Sequence, residues 1–154
     1  MGDWAKGEFL IAGQTPGKEF VCSATPGSNG AFVYVVDSFA MFQLKSWEAQ
    51  KAQGYLAYVM LGQQFQESFN LRKGSIPART DVSLNKFDSC AKTARSDMDQ
   101  SIISGNLLPS VAVDMALPTK LHSEMRAIVS EYWNNEQLTA SQTMAKLSKL
   151  SIAK

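Results

Sequence analysis

Three side chains stand where ligand chemistry could be done. Asp37 follows the apolar run Phe32–Val36. A carboxylate at a strand's end, on the loop that follows, is well placed to accept hydrogen bonds from ligand hydroxyls; turn or helix-cap duty with Ser38 is the plainer alternative. Lys73 lies in Arg-Lys-Gly-Ser-Ile-Pro-Ala-Arg. There Gly74 permits backbone conformations that other residues avoid and Pro77 stiffens the chain; a solvated basic loop is the usual fate of such a lysine. Trp4 offers a large ring at the start of the sequence, which by itself reads as a core-edge or frayed residue. Catalytic sets do not assemble. No Ser/His/Asp constellation, phosphate loop or carboxylate pair stands out, and the single histidine, His122, reads as a surface residue of a helix. Cys22 and Cys90 are far apart in sequence, without a CxxC or Cys/His cluster, so a zinc site is not expected. Two buried free thiols and a disulfide both remain open on this evidence.

The elements that must hold these residues are short strands first and helices afterwards. Weak strands are expected at Glu8–Ile11 and Phe20–Ala24, with turns at Thr15-Pro16-Gly17 and Pro26–Gly30. The run Phe32–Val36 reads as a strand buried on both faces. Ser46 is a plausible N-cap with Glu48 in the first turn of a helix, whose apolar stripe is Tyr55, Leu56, Val59 and Met60. Gly62 breaks it, and a shorter helix carries Phe65 and Phe69. Residues 70–85 read as a loop. A helix is expected near Lys86–Met98, then a loop over Gly105–Pro118. Leu121, Met125, Ile128, Val129 and Tyr132 recur at helical spacing. Thr139 caps a last helix with Met144, Leu147 and Leu150 on one face.

The totals describe one domain's worth of chain, 154 residues. At 45% hydrophobic and 19% charged, the composition is that of a folding chain and unlike a disordered one. A formal net charge of +1 argues against nucleic acid as the main partner, which needs clustered positive charge. No stretch approaches the roughly 18–20 apolar residues of a spanning helix. Residues 1–15 have neither a basic n-region nor an apolar h-region, so no signal peptide is read there.

Three stretches carry a resemblance. Residues 26–39 read Pro-Gly-Ser-Asn-Gly-Ala-Phe-Val-Tyr-Val-Val-Asp-Ser-Phe, residues 69–82 read Phe-Asn-Leu-Arg-Lys-Gly-Ser-Ile-Pro-Ala-Arg-Thr-Asp-Val, and residues 1–4 read Met-Gly-Asp-Trp. Together they resemble the C-terminal part of the extracytoplasmic sugar-binding proteins of ABC importers, and within them the glucose/mannose-type branch. The resemblance implies an α/β chain with part of a type II periplasmic-binding-protein fold, a small sheet and four to five packed helices. Residues 1–154 would be a single domain of a two-lobed protein. It implies no cofactor and no enzyme activity, a monosaccharide such as glucose or mannose as ligand, and an ABC permease as partner of the whole protein. Trp4, Asp37 and Lys73 match positions that line the sugar cleft. The recipe fits: hydroxyls need paired donors and acceptors, and the C–H face of a pyranose packs on an aromatic ring.

One departure is clear. Where the branch usually follows the segment matching Pro109–Ala112 with a sugar-facing His and then Gly, this chain has Val113 and Asp114. Val113 cannot hydrogen-bond, and Asp114 could take over part of the role. The resemblance also puts Cys22 and Cys90 in contexts where the branch often carries cysteines, in an oxidising periplasm where disulfides persist. Periplasmic location follows from the resemblance; a free-standing gene product without a signal peptide would be cytoplasmic. That alternative is a repurposed fragment acting as a small homo-oligomeric interaction or ligand-binding protein. A homodimer of the isolated chain is expected, because a partial fold leaves apolar faces uncovered; Trp47, Tyr55, Tyr58, Tyr132 and Trp133 are where its interface would lie, with an ordinary internal core the equal alternative for each.

Overall fold

A computed structural model describes residues 2–150; Met1 of the Met-Gly-Asp-Trp stretch lies outside them. The element order is α1 (Ala5–Ile11), β1 (Phe32–Tyr34), α2 (Trp47–Leu61), α3 (Gln63–Lys73), α4 (Ser89–Ser104), β2 (Leu107–Pro109), α5 (Thr119–Asn134) and α6 (Ala140–Leu147). The chain is therefore α/β, with six helices and one two-stranded sheet among the described residues. The strands are parallel: the Phe32 amide donates to the Asn106 carbonyl and the Ser110 amide to that of Tyr34, so numbers rise together along both. The described residues group into two compact units. One holds the chain up to Phe32 together with Val36–Leu107, the other Val33–Val35 together with the chain from Leu108.

Helix starts follow local capping chemistry. The Ser46 side chain accepts from the Ala49 amide, and Gly62 ends α2 and opens α3. Thr139 caps α6 through a reciprocal capping box with Gln142. Each such cap satisfies amides that the helix itself leaves unpaired.

Several expectations are corrected. Glu8–Ile11 is the end of helix α1, not a strand; a run as short as Glu-Phe-Leu-Ile suits either state, and tertiary contacts decide. Phe20–Ala24 makes only an isolated bridge between Pro16 and Phe20, because Cys22 is held by Cys90 instead of a neighbouring strand. The strand expected over Phe32–Val36 stops at Tyr34 and is not buried on both faces: Val33 is 60% exposed and Val36 53%. A strand with one neighbour in a two-stranded sheet lacks the enclosure of a central strand. The loop of Gly105–Pro118 contains β2, which pairs with a strand over seventy positions upstream and so leaves no local signal. Helix α3 runs on to Lys73 inside the expected 70–85 loop. Helix α4 begins at Ser89, later than expected, because Asp88 accepts from the Ala91 amide as its N-cap.

The stripe expected on α2 also differs. Its half-buried positions are Ala49, Gln53, Ala57 and Met60, while Tyr55, Leu56 and Val59 face outward. Polar bonds set that rotation. The Gln50 amide donates to the Leu44 carbonyl at 2.7 Å and the Gln53 amide to that of Phe42 at 3.1 Å, docking the helix on its own leading segment.

In the first unit the buried apolar residues are Val82, Phe87, Cys90 and Ala91, gathered around the start of α4. Cys22 and Cys90 are joined by a disulfide with Cα atoms 5.4 Å apart. Phe9 packs on Phe20 with ring centroids 5.2 Å apart, fastening the same segment to α1. In the second unit α5 packs on α6, and Lys146 bonds both carboxylate oxygens of Glu131 at 2.6 and 2.7 Å.

Candidate functional site

The C-terminal end of α3 gathers the polar candidates of the first unit. Lys73 is the last helical residue, and Gly74 follows with φ +86°, the left-handed C-cap conformation that glycine adopts without strain. The loop that leaves is shaped by Asn70. Its amide donates to the Gln66 carbonyl at 2.7 Å, and its oxygen accepts from the Ser75 hydroxyl at 2.6 Å. Asn70 and Gly74 are buried, so this corner is fixed.

Lys73 Nζ forms an ion pair with Asp37 Oδ2. Asp37 sits just past β1 and keeps 70% of its side-chain surface exposed, against 31% for Lys73. The two residues, 36 positions apart in sequence, thus meet at one point with a wet carboxylate on top. In that form each satisfies the other, and the remaining carboxylate lone pairs can accept hydroxyl donors. The Lys73 ammonium also lies 5.6 Å from the Phe69 ring centroid, within cation–π range.

Trp4 opens α1 and is 47% exposed, its ring folded back over Gly2 so that a Cβ there would strike it. Helix α1 is drawn against the end of α3 through two glycines. A Cβ at Gly7 would lie 2.5 Å from the Lys73 carbonyl oxygen, and one at Gly74 2.5 Å from the Gly7 amide nitrogen. The helix is pinned on another side by Lys6, 7% exposed, whose ammonium pairs with Asp88 at 2.9 Å. Partial burial pushes the Asp3 carboxyl up from its ordinary value, opposed by Lys6 and reinforced by Asp88. So α1, with Trp4 at its start, packs on the backbone that carries Lys73, and Lys73 in turn pairs with Asp37.

Arg79 closes the same loop. Its guanidinium bonds Asp81 at 2.8 and 2.5 Å and the Leu61 carbonyl at 3.2 Å.

Asp114 belongs to the second unit, with φ +59°. Its carboxylate pairs with Nδ1 of His122, so it is already engaged. His122 corrects the sequence reading: it is 2% exposed, not a surface residue, and its Nε2 is buried without a hydrogen-bond partner among the described residues. The reason lies in the turn before α5, which returns Asp114 onto the first turn of the helix. A carboxylate on Nδ1 fixes the tautomer and orientation of the ring. The signal available in sequence was a lone His eight residues after an Asp, too weak to use. Among the described residues no group of three His, Cys, Asp or Glu side chains is placed to hold a metal ion, and no helix is long and apolar enough to cross a membrane.

No protein-family model matches the chain. It is 38% identical over 149 residues to a probable sugar-binding periplasmic protein of Mesorhizobium japonicum, covering 97% of this chain and 36% of that protein. It is 42% identical over 147 residues to a probable sugar-binding periplasmic protein of Brucella suis, covering 96% and 34%. An uncharacterized ABC transporter extracellular-binding protein of Pyrococcus horikoshii is 29% identical over 143 residues, 93% of this chain and 31% of the relative. The chain spans about a third of the length of the curated relatives it matches.

Proposed function

We propose that the chain forms part of a solute-binding protein of an ABC-type importer and supplies one wall of its sugar site. On this reading it corresponds to the C-terminal portion of a type II, two-lobed binding protein. The opposite wall of the cleft would lie in the part of the relatives that it does not match. The observation that supports the reading is the Asp37–Lys73 ion pair, which joins two residues that the resemblance assigns to the sugar cleft, beside a loop tied by the Ser75–Asn70 hydrogen bond. Asp37 accepts from ring hydroxyls, Lys73 donates to them, and Trp4 offers an aromatic face to the C–H side of a hexose such as glucose or mannose. Matching donors to acceptors matters because each unpaired polar group at a desolvated site costs about 1–3 kcal/mol. Closure of two lobes around the ligand would then present the protein to its permease. The Cys22–Cys90 disulfide is in keeping with an oxidising, periplasmic location.

With half of the contacts on this chain, hexose affinity is expected to be weak. Calorimetric titration with a panel of neutral hexoses is the test. Binding that survives Asp37→Ala combined with Lys73→Ala would place the site elsewhere.

A second reading, self-association of a small interaction protein, is favoured by the exposed apolar surface. Trp47, Tyr55 and Tyr58 on α2 are 66%, 63% and 79% exposed, and Trp133 on α5 is 84%. Surfaces of this kind are normally covered by polypeptide. We propose a symmetric homodimer as the state of the isolated chain. Light scattering over a concentration series checks it, and a stable monomer throughout would exclude it.

A further inference from the structure

Lys73 has a second neighbour besides Asp37, and it is not one of the three sugar-site candidates. Phe65, Phe69 and Lys73 fall at successive fourth positions of α3, so they line one face of the helix. The two rings are stacked, with centroids 5.5 Å apart and planes inclined by 13°. Lys73 Nζ stands 5.6 Å from the Phe69 centroid, on the far side of the row from Phe65 in sequence. The ammonium is thereby bracketed by a carboxylate, Asp37, and an aromatic ring, Phe69. Phe69 is nonetheless 41% exposed, so its ring is not spent on a core.

A lysine side chain has four rotatable carbons and a strongly hydrated head, and unrestrained it samples many positions. An ion pair to an exposed carboxylate does little to restrain it, since such pairs are worth little in water. A ring beneath the ammonium adds a second attraction from a different direction. Because Phe65 stacks on Phe69, the ring itself is restrained.

We infer that Phe69 is a positioning residue of the sugar site: its ring fixes the Lys73 ammonium beside Asp37, so that donor and acceptor are presented to adjacent hydroxyls of one neutral sugar. This rests on the sugar-binding reading above. It also gives a physical reason for the neutral hexoses proposed there. The ammonium is neutralised by Asp37 and further satisfied by the ring, so the pair offers no net positive charge to a sugar acid or sugar phosphate and favours uncharged hexoses.

The test has one arm without sugar and one with it. Lysines are dimethylated with a ¹³C label, which keeps their charge, and the Lys73 signal is assigned by its loss in Lys73→Arg. An upfield ring-current shift of that signal is expected in the wild-type chain, lost in Phe69→Leu and kept in Phe69→Tyr. Its absence from the wild-type chain overturns the inference whether or not any variant folds. In hexose titrations of unlabelled protein, Phe69→Leu should bind about two- to five-fold more weakly, the factor expected for one exposed cation–π contact, with Phe69→Tyr near wild type. Glucuronic acid and glucose 6-phosphate should bind more weakly than glucose. Wild-type binding that is unchanged in Phe69→Leu, or tighter for the anionic sugars, overturns this inference alone. A ring-current shift with no hexose binding by the wild-type chain at any concentration overturns the sugar-binding reading and this inference with it.

Discussion

Gly7 and Gly74 approach each other so closely that neither position can carry a side chain. A Cβ on either would come within 2.5 Å of the other's backbone neighbourhood, at the Lys73 carbonyl oxygen or the Gly7 amide nitrogen. This contact brings α1 against the end of α3 and so puts Trp4's helix beside the backbone of Lys73.

Gly7→Ala is therefore expected to destabilise the chain by about 1–3 kcal/mol, the usual cost of overpacking, because backbone rather than a flexible side-chain tip must move. Chemical denaturation measures it. Gly13→Ala serves as the comparison: its φ of +79° strains the substitution, but nothing lies within 4 Å of the added carbon. If Gly7→Ala costs no more than Gly13→Ala, the close approach is not what fixes α1.

The Lys6–Asp88 pair should show the asymmetry of buried charges. Asp88→Ala removes the α4 cap and strands an ammonium that is 7% exposed. A loss of about 3–5 kcal/mol is expected, the range for breaking a buried pair from one side. Asp88→Asn keeps a capping side chain, and combined with Lys6→Met it removes both charges. Thermal melts should place this double variant well above Asp88→Ala. A double variant no better than Asp88→Ala would mean that the stranded charge is not the source of the loss.

The disulfide closes a loop of 68 residues between Cys22 and Cys90. Replacing both cysteines by serine is expected to cost about 2–4 kcal/mol, mostly by freeing the unfolded chain. Denaturation of oxidised wild type, reduced wild type and the double serine variant reads this out. Equal stability of all three would show that the link contributes nothing.

The Arg79–Asp81 knot predicts a pH dependence with a definite sign. The Arg79 hydrogen bond, and then that from Gln63, hold the Asp81 carboxyl well below its ordinary value of 3.8. A depressed folded-state value means that the contribution is fully present above 3.8 and fades as pH falls through the folded value. Asp81→Asn should thus lie below wild type in melting temperature at pH 6, with a small gap because the pair is solvent-exposed, and the gap should narrow steadily as pH falls below 3.8, closing only in acid stronger than the depressed folded value. A gap that persists unchanged into strong acid would exclude the carboxylate as its source.

Much of the local architecture was determined by the sequence alone. Ser46, Gly62 and Thr139 mark helix ends because capping is a contact between residues three or four apart, and α5 is legible from its periodic apolar positions. Arg79 and Asp81 pair two residues apart for the same reason. Tertiary structure alone decided the rest. Glu8–Ile11 is helical because Lys6 finds Asp88 and Gly7 finds Gly74, partners 82 and 67 positions away; no short-range pattern encodes those meetings. The β1–β2 pairing likewise joins segments whose neighbours in sequence say nothing of each other. His122 is buried because a turn returns Asp114 to its ring. Trp4, Asp37 and Lys73 were nameable from residue type and motif, but the Asp37–Lys73 ion pair, and Phe69 beside it, exist only where the folded chain brings α3 and the segment after β1 together. Side-chain chemistry is written locally, whereas the free energy that brings distant side chains within bonding distance belongs to the packed chain as a whole.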